Sequence, residues 1–415
     1  MTRSASAQAQ TERSVPRAAI KSGDLSRDGR GRIRAIPPIL HYGFRPFFFL
    51  AALHAGLAIP AWLWSYFAGV GIGGSFDGMR WHAHEMLFGY LGAVIAGFIL
   101  TAVPNWTGRL PLSGMPLLVL VMLWLAGRAA GLLAADPWVA MAADLAFPLV
   151  LGFAIWREVI AGRNWKNAPV ALMISLFGIA NALDHLANTG TLASNLGQRL
   201  ALAVVAILIS LIGGRIVPSF TRNWLVKQRA DALPAPFGRL DTAALAATVL
   251  AMAGTVILPN STAVGALLCL AGVLLAARLI RWRGAATLRE PILFILHLGY
   301  GWLALALVLM GLAVLNPAIP QLAAIHALTA GAIGTMTLAV MTRASLGHTG
   351  RAIIADRAIV SIYVLVTAGA ALRVAALFAS DWYREALVGG GILWSGAFLL
   401  FAARFAPVLF LRRAG

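Results

Sequence analysis

The chain contains a single cysteine and few charged residues, and both scarcities narrow the class of protein. Only 12% of its 415 residues are Asp, Glu, Lys or Arg, whereas 60% are hydrophobic. Cys269 alone can form neither an intramolecular disulfide nor a thiolate metal site, and its apolar surroundings predict a small core residue. A chain this apolar has too little polar surface to cover a soluble core, which indicates a membrane protein with many spans.

The sequence also lacks the usual signatures of soluble enzymes. It contains no phosphate loop, no dinucleotide-binding fingerprint after a strand, no nucleophile elbow, no CxxC pair and no CxxCH haem-attachment motif. Any haem would therefore be held non-covalently, as b-type haem is. The formal charge of +18 comes without a basic patch interleaved with aromatic residues, so we expect no nucleic-acid partner.

The polar and apolar segments predict a tail followed by one membrane domain. Residues 1–36 are polar and Arg-rich with no apolar stretch, which predicts a disordered cytoplasmic tail and not a signal peptide. Residues 37–415 form the predicted transmembrane domain, and the long connection near 219–240 could divide it into halves at 37–225 and 240–415. About twelve apolar runs are long enough to span a bilayer: 46–67, 81–103, 115–135, 137–157, 168–187, 199–218, 241–259, 262–281, 292–314, 320–341, 357–379 and 387–410.

The distribution of basic residues tests this count. With the N-terminus inside, all but five of the 33 Lys and Arg residues fall on the cytoplasmic side. This asymmetry follows the positive-inside rule and predicts an all-α bundle of twelve helices with both termini cytoplasmic.

Four histidines on three predicted helices fall in one layer near the outer surface. Acidic residues share this layer, and two arginines lie within spans at similar depth. The histidines are His82, His84, His185 and His326, the acids are Glu85, Asp144 and Asp184, and the arginines are Arg128 and Arg373. Ionisable groups are costly inside a membrane, so their coincidence on separate helices predicts a functional site.

These residue types suit a metal or haem centre. Imidazole is the commonest side-chain metal ligand, and ligands from facing helices are the usual way for a helical bundle to build a buried site. We therefore predict that His82, His84, His185 and His326 bind metal. Glu85 is the candidate proton relay, and Arg128 and Arg373 are candidates for binding haem propionates.

The spacing of the HAH motif leaves two arrangements open. His82 and His84 point about 200° apart on a regular helix, so they would serve two different centres. If the helix begins after His82, an extended segment would let both bind one ion. His82 and Glu85 would share a face of a regular helix.

The inner histidines carry weaker signals. His297 lies about five residues into the ninth span and is a candidate cofactor-binding residue, whereas His41 and His348 lie in inner connections and His54 stands alone in the first span. Small residues recur at helical spacing after His326, from Ala327 to Gly334. They predict close helix packing, and they also allow a planar cofactor against that face.

Six long motifs resemble those of the NnrS family and extend over nearly the whole chain after the tail. They are GFRPFFFLAALHA (43–55), WHAHEMLFGY (81–90), AGFILTAVPNWTG (96–108), GGRIVPSFTRNW (213–224), HLGYGWL (297–303) and HALTAGAIGTMTLAVMTRASLGHTGR (326–351). The resemblance implies a twelve-helix bacterial inner-membrane protein that contains haem and copper and acts in nitric oxide metabolism and nitrosative-stress resistance. The histidines that match the family motifs are His82, His84, His297, His326 and His348.

The architecture is also loosely similar to that of haem–copper oxidases and their nitric-oxide-reducing relatives. Those proteins place haem-ligating histidines near the outer ends of two helices in a twelve-helix bundle, which here would pair a histidine of the HAH motif with His326. This likeness rests on analogy.

Two functions remain open from the sequence. The first is an oxidoreductase that reduces nitric oxide to nitrous oxide at a haem–metal centre near the periplasmic side, with electrons from a quinol or a donor protein. The second is a non-enzymatic membrane protein that sequesters or transports nitric oxide, haem, copper or a metal–nitrosyl. Ionisable groups inside the spans suit both.

Overall fold

A computed structural model of the chain describes residues 25–27, 33–192 and 195–412. Within these residues, twelve helices are long and apolar enough to cross a membrane, which confirms the predicted helical bundle. We label them α1 to α12: Phe44–Ala68, Gly78–Pro104, Met115–Leu133, Pro137–Ala161, Trp165–Asn188, Leu196–Lys227, Arg239–Ile257, Thr262–Ile280, Pro291–Leu315, Gln321–His348, Arg357–Ala375 and Ser380–Phe410.

The segment predicted to be a disordered tail is described only in small part. Strand β1 (Leu25–Arg27) pairs antiparallel with β2 (Ile33–Ala35), and residues 1–24 and 28–32 lie outside the described part of the chain. A single 3-10 turn at Pro38–Leu40 then leads into α1. A second such turn, Gly284–Thr287, connects α8 to α9.

Local sequence signals explain where two helices begin, at ends predicted to lie on the outer side. Asp77 accepts hydrogen bonds from the backbone N–H groups of Met79 and Arg80, and so caps the first turn of α2. Asp136 caps α4 in the same way through the N–H of Trp138 at 2.7 Å. These caps fix the outer ends of two helices that carry predicted site residues.

Helices that are neighbours in the sequence pack together throughout the bundle. Each helix contacts the next, and α12 returns to pack along α1. Burial is uneven among the helices: 78% of the most apolar window of α2 and 72% of that of α10 are buried, compared with 28% for α4. Consequently α2 and α10, which carry His82, His84 and His326, form the centre of the bundle.

Three helices contain a π-helical segment, and these segments recur every fourth span. They are Glu85–Leu91 in α2, Ile209–Gly213 in α6 and Ala327–Ile333 in α10. Such segments are rare and are frequent at functional sites. In α2 and α10 the π segment begins immediately after a predicted ligand, His84 and His326 respectively.

Candidate metal centre

The predicted outer-layer residues separate into two clusters. We call His84, Asp144, Asp184 and His185 the Asp144 cluster, and His82, His326 and Arg373 the His326 cluster. Because α2 begins at Gly78, both histidines of the HAH motif are helical and point to different clusters. The geometry therefore agrees with the arrangement in which they serve two centres.

Asp144 lies at the middle of its cluster and is almost fully buried, with 3% of its surface exposed. Its Oδ2 atom lies 3.2 Å from Nε2 of His84 and 3.1 Å from Nε2 of His185. The amide of Asn181 donates to the same oxygen at 2.9 Å. Three groups from α2 and α5 thus converge on one carboxylate oxygen from α4.

His84 is held between two carboxylates. Its Nδ1 lies 2.9 Å from Oδ2 of Asp184, while its Nε2 faces Asp144. Carboxylate oxygens only accept hydrogen bonds, so with Asp144 and Asp184 both ionised the two ring nitrogens each carry a proton and the ring is a cation. A metal ion at Nε2 would take the place of one of these protons.

The other oxygen of Asp184 is fixed by polar neighbours. Its Oδ1 accepts hydrogen bonds from Arg80 at 3.0 Å and from Gln198 at 3.1 Å. A carboxylate that orients an imidazole in this way is the usual outer partner of a histidine metal ligand.

Glu85 and Arg128 extend this network toward α1. Arg128 donates through Nη1 to Oε2 of Glu85 at 2.6 Å and through Nη2 to Oδ1 of Asp144. Nε2 of His54 lies 2.9 Å from the same oxygen of Glu85. Oε1 of Glu85 is buried and has no hydrogen-bond partner among the described residues.

Gly89 makes this close approach possible. A Cβ atom at Gly89 would lie 2.7 Å from Oε2 of Glu85 and 2.8 Å from Nη1 of Arg128. The carbonyl of Gly89 instead accepts a hydrogen bond from the indole of Trp124 at 3.0 Å. Any side chain at this position would force the ion pair apart.

The donor atoms of the Asp144 cluster match the needs of a metal ion. One nitrogen from each of His84 and His185 and one oxygen from Asp144 lie within 4.8 Å of one another, and all three residues are buried. With metal–ligand bonds of about 2.0–2.1 Å, tetrahedral donors lie about 3.3 Å apart, close to the observed 3.1 and 3.2 Å. A set of two imidazoles and one carboxylate suits copper, iron or zinc, and copper(II) binds most strongly in the general affinity order.

The His326 cluster has a different chemistry, because its described contacts include no carboxylate. Nδ1 of His326 lies 2.7 Å from the carbonyl of Leu322. A carbonyl can only accept, so Nδ1 carries the proton and Nε2 is left with a free lone pair, as in histidines that bind metal or haem iron.

His82 and Arg373 lie close enough to His326 to interact electrostatically. The ring of His82 stacks on Trp62, with centroids 4.3 Å apart. Nδ1 of His82 and Nη1 of Arg373 are buried and have no hydrogen-bond partner among the described residues. Two imidazoles beside a guanidinium with a free terminal nitrogen fit the ligands and propionate partner of a haem.

The two arginines predicted to bind propionates therefore differ. Both terminal nitrogens of Arg128 are occupied by Glu85 and Asp144, which leaves only its buried Nε without a described partner. Arg373 is the arginine with a terminal nitrogen free to bind an anion.

The face of small residues on α10 is filled by tryptophans. A Cβ atom at Gly331 would lie 2.6 Å from ring atoms of Trp302, and one at Gly334 would lie 2.8 Å from Nε1 of Trp394. The glycines thus serve close helix packing, and a planar cofactor does not fit against this face.

The inner histidines stand apart from both clusters. Nε2 of His297 lies 2.8 Å from the hydroxyl of Thr221, and its Nδ1 is buried without a described partner. His41 contacts the carbonyl of Ile36 at 2.9 Å. His348 borders a cavity of about 300 Å³ whose wall includes Phe44, Phe48 and Arg215.

Sequence reasoning missed a buried clamp at the inner ends of α7 and α8. Arg278 is 1% exposed and donates to Asp241 at 2.7 Å and to the hydroxyl of Tyr300 at 2.9 Å. It also donates to the carbonyl of Ser210 at 3.1 Å, inside the π segment of α6, and to that of Gly214 at 3.3 Å, just after the segment. In the sequence, Arg278 stands near the end of a predicted span, where a basic residue indicates only topology. Asp241, at the start of the seventh predicted span, was the sequence feature that could have indicated an ion pair with Arg278.

Comparison with known proteins agrees with this architecture. A search of curated proteins finds no significant match to the chain. The sequence profile described as NnrS protein matches residues 38–413, which is nearly the whole chain after the tail. The chain therefore belongs to the NnrS family.

Proposed function

We propose that this polytopic membrane protein binds copper in the Asp144 cluster and a b-type haem at the His326 cluster. We further propose that it acts in nitric oxide metabolism and nitrosative-stress resistance in the bacterial inner membrane, where it reduces nitric oxide to nitrous oxide near the periplasmic side. The observation that carries the proposal is the convergence of His84, His185 and Asp144 in a buried layer next to a second pair of imidazoles.

The protonation of His84 supports a cation at this site. The Asp144 cluster and its immediate neighbours hold three carboxylates, those of Glu85, Asp144 and Asp184. Arg80, Arg128 and the His84 imidazolium balance them. A metal ion that displaces the proton from Nε2 of His84 keeps this site cationic, so the carboxylates stay compensated without a change in the surrounding contacts.

When bound, the copper would supply the binding site for nitric oxide and the haem would supply electrons one at a time, two in all, for the reaction 2 NO + 2 e⁻ + 2 H⁺ → N₂O + H₂O. The residues around them supply protons and orientation. Oε2 of Glu85 is fixed by Arg128, whereas Oε1 is free to accept a proton and release it. Nε2 of His54 lies 2.9 Å from Oε2, so His54 would help to hold the Glu85 carboxylate in place.

Arg373 and Asp184 would position the two groups. The free terminal nitrogen of Arg373 would bind a haem propionate, and Asp184 fixes the ring of His84 so that Nε2 points to the metal position. Both residues act through charge and orientation, and neither needs to move.

Metal and haem analysis of purified variants tests the two sites separately. We expect His84→Ala and His185→Ala to lose copper and keep haem, and His82→Ala and His326→Ala to lose haem and keep copper. His41→Ala is the matched control because it lies far from both clusters and should keep both cofactors. Full copper and haem content in all five variants would contradict the site assignment.

A turnover assay then distinguishes reduction from sequestration or transport. The purified protein, reduced by a quinol analogue or by dithionite, should produce nitrous oxide from nitric oxide. Stoichiometric binding of nitric oxide without nitrous oxide under either reductant would favour the non-enzymatic alternative. Turnover with dithionite alone would point to a donor protein in place of quinol.

A further inference from the structure

The hydroxyl groups of α10 fall into two kinds. Serine and threonine side chains in membrane helices commonly donate to a carbonyl of the preceding turn of their own helix. Thr329 donates to the carbonyl of Ile325 at 3.0 Å, and Thr349, the residue just after α10, donates to that of Ser345 at 2.7 Å. These hydroxyls are satisfied within the helix.

Thr335, Thr342 and Ser345 behave differently. All three are fully buried, and none of their hydroxyls has a hydrogen-bond partner among the described residues. On the regular helix that follows the π segment they share one face and extend over about 15 Å of rise. Buried polar groups without protein partners are normally satisfied by ordered water.

This face meets a buried tyrosine of α11. The hydroxyl of Tyr363 faces that of Thr342 without a well-aligned hydrogen bond to any described residue, and Arg343 and Glu290 lie close enough to interact with it electrostatically. Glu290 lies just before α9 at the predicted cytoplasmic side and is half-buried. Burial raises the pKa of Glu290, against the opposing effect of Arg343, so this carboxyl holds a proton more readily than an exposed glutamate.

We propose that Thr335, Thr342, Ser345 and Tyr363, together with water, form a path that carries protons from Glu290 at the cytoplasmic surface to the middle of the membrane. Each hydroxyl accepts a proton on a lone pair and releases its own to the next group, and then rotates back before it carries the next proton. The purpose of this path rests on the proposed function, because the reduction of two nitric oxide molecules consumes two protons. Thr335 lies nine residues after His326, which is about 14 Å along a helix.

Radiolytic hydroxyl labelling of the intact protein tests for water on this path without any need for turnover. Tyr363 should be oxidised with oxygen from isotopically labelled water. Tyr90 is the matched control, because it is equally buried but its hydroxyl is bonded to Thr337 at 2.5 Å. Labelling of Tyr363 no greater than that of Tyr90 would overturn the proposal.

We call the hydroxyl groups of Thr335, Thr342, Ser345 and Tyr363 the hydroxyl column. Two variants make the same test specific to this column. Thr342→Val should lower the labelling of Tyr363 to the level of Tyr90. Thr367→Val should leave it unchanged, because that hydroxyl donates to the carbonyl of Tyr363 within α11 at 2.8 Å. Equal labelling in wild type and Thr342→Val would remove Thr342 from the path and contradict the proposal.

Turnover in liposomes provides the second readout. Thr342→Val should slow nitrous oxide production and proton uptake from the cytoplasmic face at unchanged haem and copper content, and Thr342→Ser should restore both. Wild-type rates in Thr342→Val would show that the water column does not carry the reaction's protons, which overturns the proposal. A wild type that labels at Tyr363 but makes no nitrous oxide contradicts the proposed reduction and leaves the hydrated path standing.

Discussion

Replacement of Asp144 by asparagine tests whether the outer network is a set of compensated buried charges. The change preserves the shape of the side chain and removes one negative charge. The three carboxylates of the Asp144 cluster and its neighbours are then reduced to two, facing the same three cations. Because Arg128 and His84 both contact Asp144 and are nearly fully buried, the excess positive charge cannot be screened by solvent.

The expected magnitude follows from the burial of this pair. Removal of one partner of a buried ion pair costs about 3–5 kcal/mol, because the other charge is left uncompensated. This corresponds to a decrease of roughly 100- to 4,000-fold in the equilibrium constant for folding, at about 1.4 kcal/mol for each factor of ten. Chemical unfolding of the metal-free protein in detergent, followed by near-ultraviolet circular dichroism, would measure the loss.

Asp356→Asn is the control for this measurement. Asp356 pairs with Arg404 at 2.6 Å, but its side chain is 43% exposed, so the loss of this pair should cost about 0–1 kcal/mol. Its cap on the N–H of Ile359, at 2.9 Å, is retained because asparagine caps equally well. If Asp144→Asn were no less stable than Asp356→Asn, the account of compensated buried charge would be refuted.

Three further predictions follow from other parts of the bundle. Arg278→Met should cost about 3–5 kcal/mol of unfolding free energy because it leaves two backbone carbonyls and a tyrosine hydroxyl without a donor. Arg281→Met, at a partly exposed site, should cost about 0–1 kcal/mol. The same unfolding assay compares the two variants. Gly331→Ala should cost about 1–3 kcal/mol because its Cβ would overlap a tryptophan ring, and Gly396→Ala, where a Cβ meets no atom within 4 Å, should be neutral or slightly stabilising. Burial tends to raise the pKa of Asp356, but the helix N–H and the arginine beside it outweigh burial and lower that pKa. A carboxyl with a lowered pKa stabilises the fold above its ordinary pKa and loses that contribution as the pH falls through the lowered value; the stability difference between wild type and Asp356→Asn should therefore disappear on acidification.

The membrane architecture was largely predictable because its signals are long and additive. Each span needs about 20 apolar residues, and each inner connection adds its own arginines to the topology signal. Errors of a few residues at the ends of the predicted apolar runs did not change the number of predicted membrane spans. The predicted second span began at residue 81 and the observed α2 begins at Gly78, because Asp77 caps the helix one turn before the apolar run.

The division of the site into two clusters could not be obtained from the sequence. It depends on which way each imidazole points, and that is decided by partners far apart in the chain, such as Asp144 and Asp184 for His84. The π segment after His84 also breaks the regular 3.6-residue period, so helical-wheel reasoning does not relate His84 to residues that follow the segment. Asp144 was visible as an acid at the right depth, but only the folded chain brings it to both histidines.

The same limit applies to the hydroxyl column and the Arg278 clamp. Serine and threonine are ordinary residues in membrane helices, and the sequence does not distinguish Thr342 from Thr349. Only the contacts reveal that one hydroxyl is satisfied within its helix and the other is not.

The π segments in α2, α6 and α10 each place about one extra residue in a helical turn. One residue corresponds to about 100° of rotation around an α-helix. If all the residues of Glu85–Leu91 formed an ordinary α-helix, the two ends of α2 would therefore be rotated relative to each other by roughly a quarter of a turn. His84 would then point away from Asp144, so the π segment sets the direction in which this predicted ligand points.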